Sequence, residues 1–328
     1  MKLASLKKGG RDGSLIVVSR NLSSYVSVAD ISPTLQAALD HWHQAAPRLN
    51  ARYEELNRGA CPGIQELDIK SLAAPLPRAF EFVDGSAYLP HVDRVRRARG
   101  AEVPESFYVD PLMYQATSAG FLGPRDPVPV VSEDYGIDFE SEIIVVTDDV
   151  PMAVTAENAE AHIQLIGLIN DVSLRNLIPA ELAKGFGFLQ SKPRSALSPV
   201  LVTPDELGEH WRDCKLSLAL HSTLNGEFFG EPEAGVDMQF NFAQLVAHAA
   251  KTRPLTAGTI VGSGTIANED TSKGASCLAE IRMLEIIADG KPSTPFMKFG
   301  DTIRIEMYDD QGDSIFGAIE QTIVSHDA

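Results

Sequence analysis

The sequence predicts an α+β protein that is mainly β. Its apolar residues fall mostly in short runs typical of strands, few segments have long helical spacing, and strands and helices do not alternate regularly. The pair Asn225-Gly226 between two apolar segments predicts a tight hairpin turn. These observations favour a mixed sheet over a doubly wound parallel sheet.

The first 72 residues are expected to form a small N-terminal domain. Its predicted elements are two strands and then two helical segments: 14–19, 25–28, 32–47 and 49–57. Ser32 is the expected N-cap of the first helix, with Pro33 at the first helical position, and Pro47 is expected to interrupt it.

A linker is predicted at the proline-rich stretch 73–77, so we divide the chain into domains 1–72 and 73–328. The larger domain is expected to be rich in strands, with few long helical segments, one of which is identified. The predicted strands cover 128–131, 137–146, 163–169, 216–220, 278–287, 302–307 and 314–323, and the helix covers 240–250.

Composition narrows the class of protein. The chain has 328 residues and a formal net charge of −17, which argues against binding to nucleic acid or to an anionic membrane. Three widely spaced cysteines match neither a disulfide framework nor a zinc site. Without an apolar signal or transmembrane segment, the expected location is the cytoplasm.

The stretch 138–142 carries the strongest chemical signal. In a strand, alternate side chains share a face, which places Asp138, Glu140 and Glu142 together. Three adjacent carboxylates repel each other unless a cation lies among them, and an oxygen-only set suits Mg²⁺, Ca²⁺ or Mn²⁺ better than zinc. A solvated acidic face is the alternative.

Further candidate residues each have an ordinary explanation as well. Asp171 ends an apolar strand and could pair with Arg175 on a following helix. Lys192 lies in a loop where an exposed lysine is common, and Glu280, in a predicted strand, could pair with Arg282.

Taken in order, these segments resemble the fumarylacetoacetate hydrolase family over most of residues 70–325. The resemblance rests on Ala87–His91, Asp138–Glu142, Asn170–Arg175, Ser191-Lys192, and Gly262–Thr265 with Leu278–Glu280. Two positions depart from the family: Ala87 replaces its usual Asn, and Ile178 replaces its substrate-binding Gln.

The resemblance implies a mixed β-sheet and β-roll catalytic domain behind a small N-terminal domain, in a homodimer. It also implies residue roles, and Asp84 joins the ligands because it precedes His91 by the seven residues seen in eukaryotic-type members. The implied metal ligands are Glu140, Glu142, Asp171 and Asp84; the catalytic residues are His91, Glu280 and Lys192; the substrate contacts are Arg175, Thr265 and Tyr114.

The implied activity is metal-dependent hydrolysis of a C–C bond in a β-diketo acid, foremost fumarylacetoacetate in tyrosine degradation, or a related acylpyruvate. The expected cofactor is a divalent cation, first Mg²⁺, with Ca²⁺ or Mn²⁺ as alternatives. Two other hypotheses stay open: a 2-oxo acid lyase of the same family (an oxaloacetate-type decarboxylase, hydratase or isomerase), and a non-catalytic calcium-binding protein.

Overall fold

Two β-sheets of short strands form the framework of this protein, for which a computed structural model describes residues 1–97, 100 and 102–327. The strands are Lys2–Leu6 (β1), Ser14–Val18 (β2), Ser24–Ser27 (β3), Gln65–Glu66 (β4), Glu81–Gly85 (β5), Met113–Gln115 (β6), Val128–Val130 (β7), Ile137–Asp138 (β8), Ser141–Thr147 (β9), Ile163–Asn170 (β10), Ser173–Leu174 (β11), Ala196–Leu197 (β12), Leu201–Val202 (β13), Trp211–Arg212 (β14), Lys215–Leu216 (β15), Leu220–Leu224 (β16), Glu227–Gly230 (β17), Thr259–Gly262 (β18), Thr302–Met307 (β19) and Ile319–Ser325 (β20).

The helices lie mainly around these sheets. The α-helices are Leu35–Leu39 (α1), Trp42–Asn57 (α2), Leu89–Arg97 (α3), Ala156–Ala159 (α4), Ile178–Leu182 (α5), Phe242–Ala249 (α6) and Leu278–Asp289 (α7). Short 3₁₀ helices cover Ile69–Ser71, Glu105–Tyr108, Glu133–Tyr135, Glu160–His162, Pro204–His210 and Thr271–Lys273. Within the described part of the chain, none of the helices has the length and apolarity needed to cross a membrane.

The larger sheet runs through both halves of the chain. Its order is β4-β3-β2-β1-β13-β10-β9-β18-β5-β6, with β12 also paired to β10, and only the β18–β5 pairing is parallel. Lys2 of β1 pairs with Val202 of β13, which joins the N-terminal strands to the rest. The predicted mainly β, α+β class is confirmed, whereas the domain boundary at residue 72 stays a prediction.

Apolar residues cover both faces of the larger sheet. Successive residues of β9 point to opposite faces, so Ile144 and Val146 pack in the cluster that contains α1 and α2. Ile143 and Val145 pack in the cluster that contains α6 and the smaller sheet. β9 is therefore buried on both faces, and its first residues lie at one end of the sheet.

The smaller sheet has the order β17-β16-β19-β20-β7. The predicted hairpin joins β16 to β17, where Asn225 and Gly226 have φ values of 52° and 82°. Positive φ at both central residues is the geometry that a two-residue hairpin favours. This turn prediction is confirmed.

The start of the first helix differs from the prediction. Thr34, rather than Ser32, is the N-cap, because its side chain accepts a hydrogen bond from the Ala37 N–H at 3.1 Å. The helical conformation is interrupted at residues 40–41, between α1 and α2, whereas Pro47 lies inside α2. The predicted interruption at Pro47 is therefore wrong, and the helix tolerates the loss of the one backbone N–H that proline lacks.

The predicted strand 278–287 is wrong, because this segment forms α7. Its N-cap position is Cys277, which provides no side-chain cap. Instead, the buried carboxylate of Asp138 accepts the N–H groups of Leu278 and Ala279 at 2.8 and 2.9 Å. A negative group at a helix N-terminus stabilises the helix, and here it comes from about 140 residues away.

Two other predicted strands are interrupted. The stretch 137–146 divides into β8 and β9, with Phe139 and Glu140 between them, and 216–220 divides between β15 and β16. The last strand begins at Ile319 rather than at Ser314. Asp138 and Glu142 therefore do not share one continuous strand face.

Candidate active site

Three carboxylates converge at one end of the larger sheet. Asp84 lies on β5, Glu142 on β9, and Asp171 directly after β10. One oxygen of each lies within 4.8 Å of the others, and the three residues are 4%, 0% and 1% exposed. We call these residues the carboxylate cluster. Because Glu142 is fully buried, the alternative of a solvated acidic face is wrong.

The electrostatics of the carboxylate cluster favour a cation among its oxygens. Burial, with a contribution from Asp171, raises the pKa of Asp84 to about 8. Burial and the neighbouring Asp84 and Asp171 raise the pKa of Glu142 well above its usual value. Among the described residues, Oε2 of Glu142 has no hydrogen-bond partner although it is buried. An oxygen-only donor set with an orphaned acceptor fits a hard divalent cation.

Glu140 lies beside the carboxylate cluster. Its Oε1 accepts a hydrogen bond from Arg175 at 2.7 Å, and its Oε2 accepts from Lys192 at 2.6 Å and from Ser173 at 3.1 Å. Burial alone would raise the pKa of Glu140, but Arg175 and Lys192 hold it below its usual range. Both oxygens of Glu140 are thus engaged by protein donors.

Lys192 is buried rather than exposed, with 7% of its surface accessible. Its Nζ donates to Asp171 at 2.7 Å as well as to Glu140. Asp171 also accepts from Tyr114 at 2.8 Å and from Ser195 at 2.5 Å. The alternative of a surface lysine is therefore wrong, and Lys192 joins Glu140 to the carboxylate cluster.

Arg175 does not pair with Asp171, and no helix begins at Asp171. Its guanidinium spans two other acids, with Nε 2.8 Å from Oδ2 of Asp138 and one terminal nitrogen on Glu140. Asp138 in turn holds the N-terminus of α7. Asp138 therefore lies outside the carboxylate cluster and holds Arg175 and the N-terminus of α7 in place.

A histidine–carboxylate pair lies between helices α3 and α7, with the carboxylate buried and the histidine partly exposed. Nδ1 of His91 is 2.9 Å from Oε2 of Glu280, which is 1% exposed. With Glu280 as the acceptor, Nδ1 carries the proton and leaves Nε2 free to accept one. Glu280 does not pair with Arg282, so that alternative is wrong.

The sequence reasoning missed Arg94. One turn after His91 on α3, Arg94 donates to Oε1 of Glu280, and its other terminal nitrogen donates to the Asn268 carbonyl at 2.5 Å. Glu280 therefore has one donor on each oxygen. The spacing His91-x-x-Arg94 would have indicated a shared face if the helix had been recognised.

The segment 262–265, which contains two glycines, supports one acid of the carboxylate cluster. The Gly264 N–H donates to Asp84 at 3.1 Å. Gly264 has a φ of +77°, and a Cβ there would lie 2.3 Å from the Gly85 carbonyl oxygen. Thr265 follows, with its hydroxyl 3.4 Å from Glu142. Glycine is required here for both conformation and close approach.

Most of the predicted site residues line one cavity of about 780 Å³. These residues are Asp84, His91, Tyr114, Glu140, Glu142, Arg175, Lys192 and Thr265. The remaining two, Asp171 and Glu280, contact this set from behind through Lys192 and His91. Ile178 lines the same cavity. The structure thus brings together all the residues predicted from the motifs.

Comparison with known proteins identifies the class. The profile described as Fumarylacetoacetate (FAA) hydrolase C-terminal matches residues 81–324, and that of Fumarylacetoacetase N-terminal domain 2 matches residues 1–78. The chain therefore belongs to the fumarylacetoacetate hydrolase family, a family of hydrolases and related enzymes.

Individual relatives have different names. A 2,4-didehydro-3-deoxy-L-rhamnonate hydrolase from Sphingomonas sp. (strain SKA58) is 28% identical over 48% of this chain and 53% of its own length. Oxaloacetate tautomerase YisK from Bacillus subtilis (strain 168) is 26% identical over 59% and 61%, respectively. The chain thus spans between half and two thirds of the length of these relatives.

The fold is shared with solved structures. Maleylpyruvate hydrolase from Sphingobium sp. SYK-6, in complex with manganese(II) and pyruvate, superposes with a TM-score of 0.65 and 16% identity, covering 99% of both chains. The predicted family fold, with its two-part architecture, is confirmed.

Proposed function

We propose that this protein is a divalent-cation-dependent hydrolase that cleaves a C–C bond in a β-diketo acid, namely fumarylacetoacetate or a related acylpyruvate. One observation carries the proposal: the His91–Glu280 pair and the carboxylate cluster belong to a single site. A site that only held calcium would need neither a histidine–glutamate pair nor Arg94 bound to that glutamate. The hydrolases among the relatives and solved structures support the same reaction class.

Asp84, Glu142 and Asp171 would hold the cation, with Glu140 beside them. When bound, the cation would act as a Lewis acid on the two neighbouring oxygens of the diketo acid. Mg²⁺ is the expected ion, because a site with few carboxylate ligands leaves several of its coordination positions for exchangeable ligands. The manganese in the Sphingobium structure supports Mn²⁺ as the alternative, and Ca²⁺ is a third candidate.

His91 would supply the base. Its free Nε2 takes a proton from water while Glu280 holds the ring in the required tautomer. The resulting hydroxide adds to the acyl carbonyl carbon, and the C–C bond breaks with its electron pair passing to the leaving group as an enolate. The proton that His91 took from water then passes to that enolate, which completes the products, a carboxylic acid and a 2-oxo or 3-oxo acid.

Lys192 and Arg175 would stabilise the developing negative charge. Both are buried or nearly so and both are fixed by acids, so they need little reorganisation during the reaction. Thr265 and Tyr114 line the same cavity and would contact the substrate's oxygens. Loss of one such stabilising group typically lowers kcat by about 10²–10³-fold.

A second candidate is tautomerisation or decarboxylation of a 2-oxo acid. The similarity to an oxaloacetate tautomerase favours it, as does Ile178 at the family's substrate-binding Gln position. These reactions require no hydrolytic water. They would therefore depend less on the His91–Glu280 pair.

The test is a product analysis on a panel of diketo and 2-oxo acids, with and without a chelator. We expect chelator-sensitive release of two acids from the diketo compounds. His91→Ala should abolish this cleavage while metal binding, measured by calorimetry, persists. Cleavage retained in His91→Ala, or insensitivity to chelation, would refute the mechanism. Turnover of oxaloacetate alone would favour the second candidate.

A homodimer and a cytoplasmic location are part of the same proposal. Phe186 and Leu189, which are 98% and 83% exposed, are apolar side chains that a partner subunit could cover. Light scattering after size exclusion should give twice the mass of the chain; a monomeric mass would contradict the homodimer.

A further inference from the structure

The cavity is larger and more apolar than a small diketo acid requires. At about 780 Å³ it falls within the range of pockets that enclose drug-sized ligands. On α7, Ala279, Met283 and Ile286 line it with spacings of four and three residues, so they form one apolar stripe. Val92 and Val95 of α3 line the adjoining wall.

The apolar wall begins next to the carboxylate cluster. Phe188 packs edge-on against Tyr114, with ring centroids 4.8 Å apart and planes at 89°. The Tyr114 hydroxyl is itself bound to Asp171. Ile178 continues this side of the cavity. A ligand whose oxygens reach the carboxylate cluster would therefore extend directly over apolar side chains.

The cationic side chains that line the cavity are all held by contacts within the protein. Among the described residues that line it, the cationic side chains are Arg96, Arg175, Lys192 and Arg282. Arg175 and Lys192 are bound to acids, as described above. Arg96 donates to the Glu102 carbonyl at 3.1 Å and lies 4.7 Å from the Phe107 ring. Arg282 donates to the Thr294 carbonyl and lies 4.1 Å from the Phe296 ring.

We propose that the substrate is an acylpyruvate with an extended, uncharged acyl group, aliphatic or aromatic. This inference rests on the proposed function and narrows it, since the acyl part of fumarylacetoacetate ends in a carboxylate. Contact between water and apolar side chains is unfavourable. A short substrate would leave most of the apolar side chains of the cavity in contact with water, whereas a longer acyl group would bury them and bind more tightly. Each buried methylene contributes about three- to fourfold to binding.

The experiment compares kcat/KM along the series acetyl-, butanoyl-, hexanoyl- and benzoylpyruvate. We expect a rise of at least about tenfold from acetyl- to hexanoylpyruvate. An equal or higher value for acetylpyruvate would overturn the inference while leaving hydrolysis intact. A clear preference for the hexanoyl analogue with a terminal carboxylate would also overturn it and would assign Arg96 or Arg282 to that carboxylate.

Matched variants locate the effect. Met283→Gln should reduce the rise in kcat/KM from acetyl- to hexanoylpyruvate, because it places an amide in the apolar stripe. Ile287→Gln lies on the same helix but does not line the cavity, so it should leave the series unchanged. If kcat/KM rose equally with acyl length in Met283→Gln and in the unchanged protein, the acyl group would not lie against the apolar stripe of α7.

A binding measurement separates this inference from the proposed function. Uncleavable 2-oxo acids, pyruvate and 2-oxooctanoate, are titrated calorimetrically into the metal-loaded protein. We expect 2-oxooctanoate to bind at least about tenfold more tightly. If no diketo acid is cleaved but this difference persists, hydrolysis is refuted and the apolar site stands. Equal affinities would refute the apolar site in either case.

Discussion

Nζ of Lys192 lies 2.6 Å from Oε2 of Glu140, and both side chains are buried. This pair neutralises Glu140 within the protein itself. Glu142, two residues further along, has no cationic neighbour bound to it and keeps an unpaired oxygen among the described residues. Two acids from one motif therefore have different electrostatic environments.

The first expectation concerns metal affinity. Glu142→Gln should weaken divalent-cation binding more than Glu140→Gln, because Glu142 contributes a free oxygen to the carboxylate cluster whereas Glu140 is already paired. Calorimetric titration of the two variants with Mg²⁺ and Mn²⁺ measures the difference. An equal or larger loss in Glu140→Gln would make Glu140 a principal ligand.

The second expectation concerns Arg94. Its removal leaves Oε1 of Glu280 without a partner, so the carboxylate no longer orients His91 securely. Arg94→Ala should lower kcat by roughly tenfold or more with little change in KM. Millimolar guanidinium should restore part of the rate, and Arg94→Lys should retain more activity than Arg94→Ala.

Arg97→Ala is the matched control for Arg94. Arg97 lies on the same helix, is exposed, and its side chain pairs with Asp93 on the surface. We expect its kcat to be unchanged. If Arg94→Ala raised KM alone and did not respond to guanidinium, Arg94 would have a structural role rather than one in positioning.

The third expectation compares two glycines with the same φ. Gly264 and Gly290 both have φ of +77°, but only Gly264 faces a backbone oxygen where a Cβ would lie. Gly290→Ala should cost about 1 kcal/mol of unfolding free energy from conformational strain. Gly264→Ala should cost about 1–3 kcal/mol more, and should reduce activity because Thr265 and Asp84 shift. Equal losses in denaturant unfolding would contradict the close-contact explanation.

The fourth expectation concerns Glu181, which orders the segment before Lys192. Its carboxylate accepts the N–H groups of Leu189, Gln190 and Ser191 at 3.1, 2.7 and 3.1 Å. Burial raises the pKa of Glu181, but the hydrogen bonds from Ser191, Gln190 and Leu189 lower it to about 2 from its ordinary 4.5. This lowered pKa makes the contribution of Glu181 to stability depend on pH.

Because the folded pKa is depressed, Glu181 stabilises the protein fully above about pH 4.5 and loses this effect as pH falls towards 2. Glu181→Gln should therefore reduce the unfolding free energy by about 1–2 kcal/mol at neutral pH. The difference from the unchanged protein should shrink below pH 4.5 in thermal melts. A difference that stays constant across this range would contradict the assignment.

Several local features could be predicted because their causes are local. The two-residue turn at Asn225-Gly226 needs positive φ at both positions, which these residues adopt readily. The helix at 240–250 has the apolar spacing of an amphipathic helix and forms α6. The ordered motifs were sufficient to bring His91, Lys192 and the acids into one expected site.

Other features could not be predicted, because distant parts of the chain determine them. The segment 278–287 has an apolar composition compatible with a strand, and Asp138 provides the cap that makes it a helix. Arg94 acts on Glu280 only because α3 packs beside α7. Neither contact leaves a signal within a short window of sequence.

The sequence by itself determined the donor chemistry of this protein: carboxylate oxygens for a hard cation, one histidine and two basic side chains, in the order of a known family. Only the tertiary structure decided which acid is paired and which is free. Asp138, Glu140 and Glu142 are equivalent in a strand pattern, yet Arg175 and Lys192 engage the first two acids and not Glu142. Charge pairing depends on distances across strands, and folding alone sets those distances.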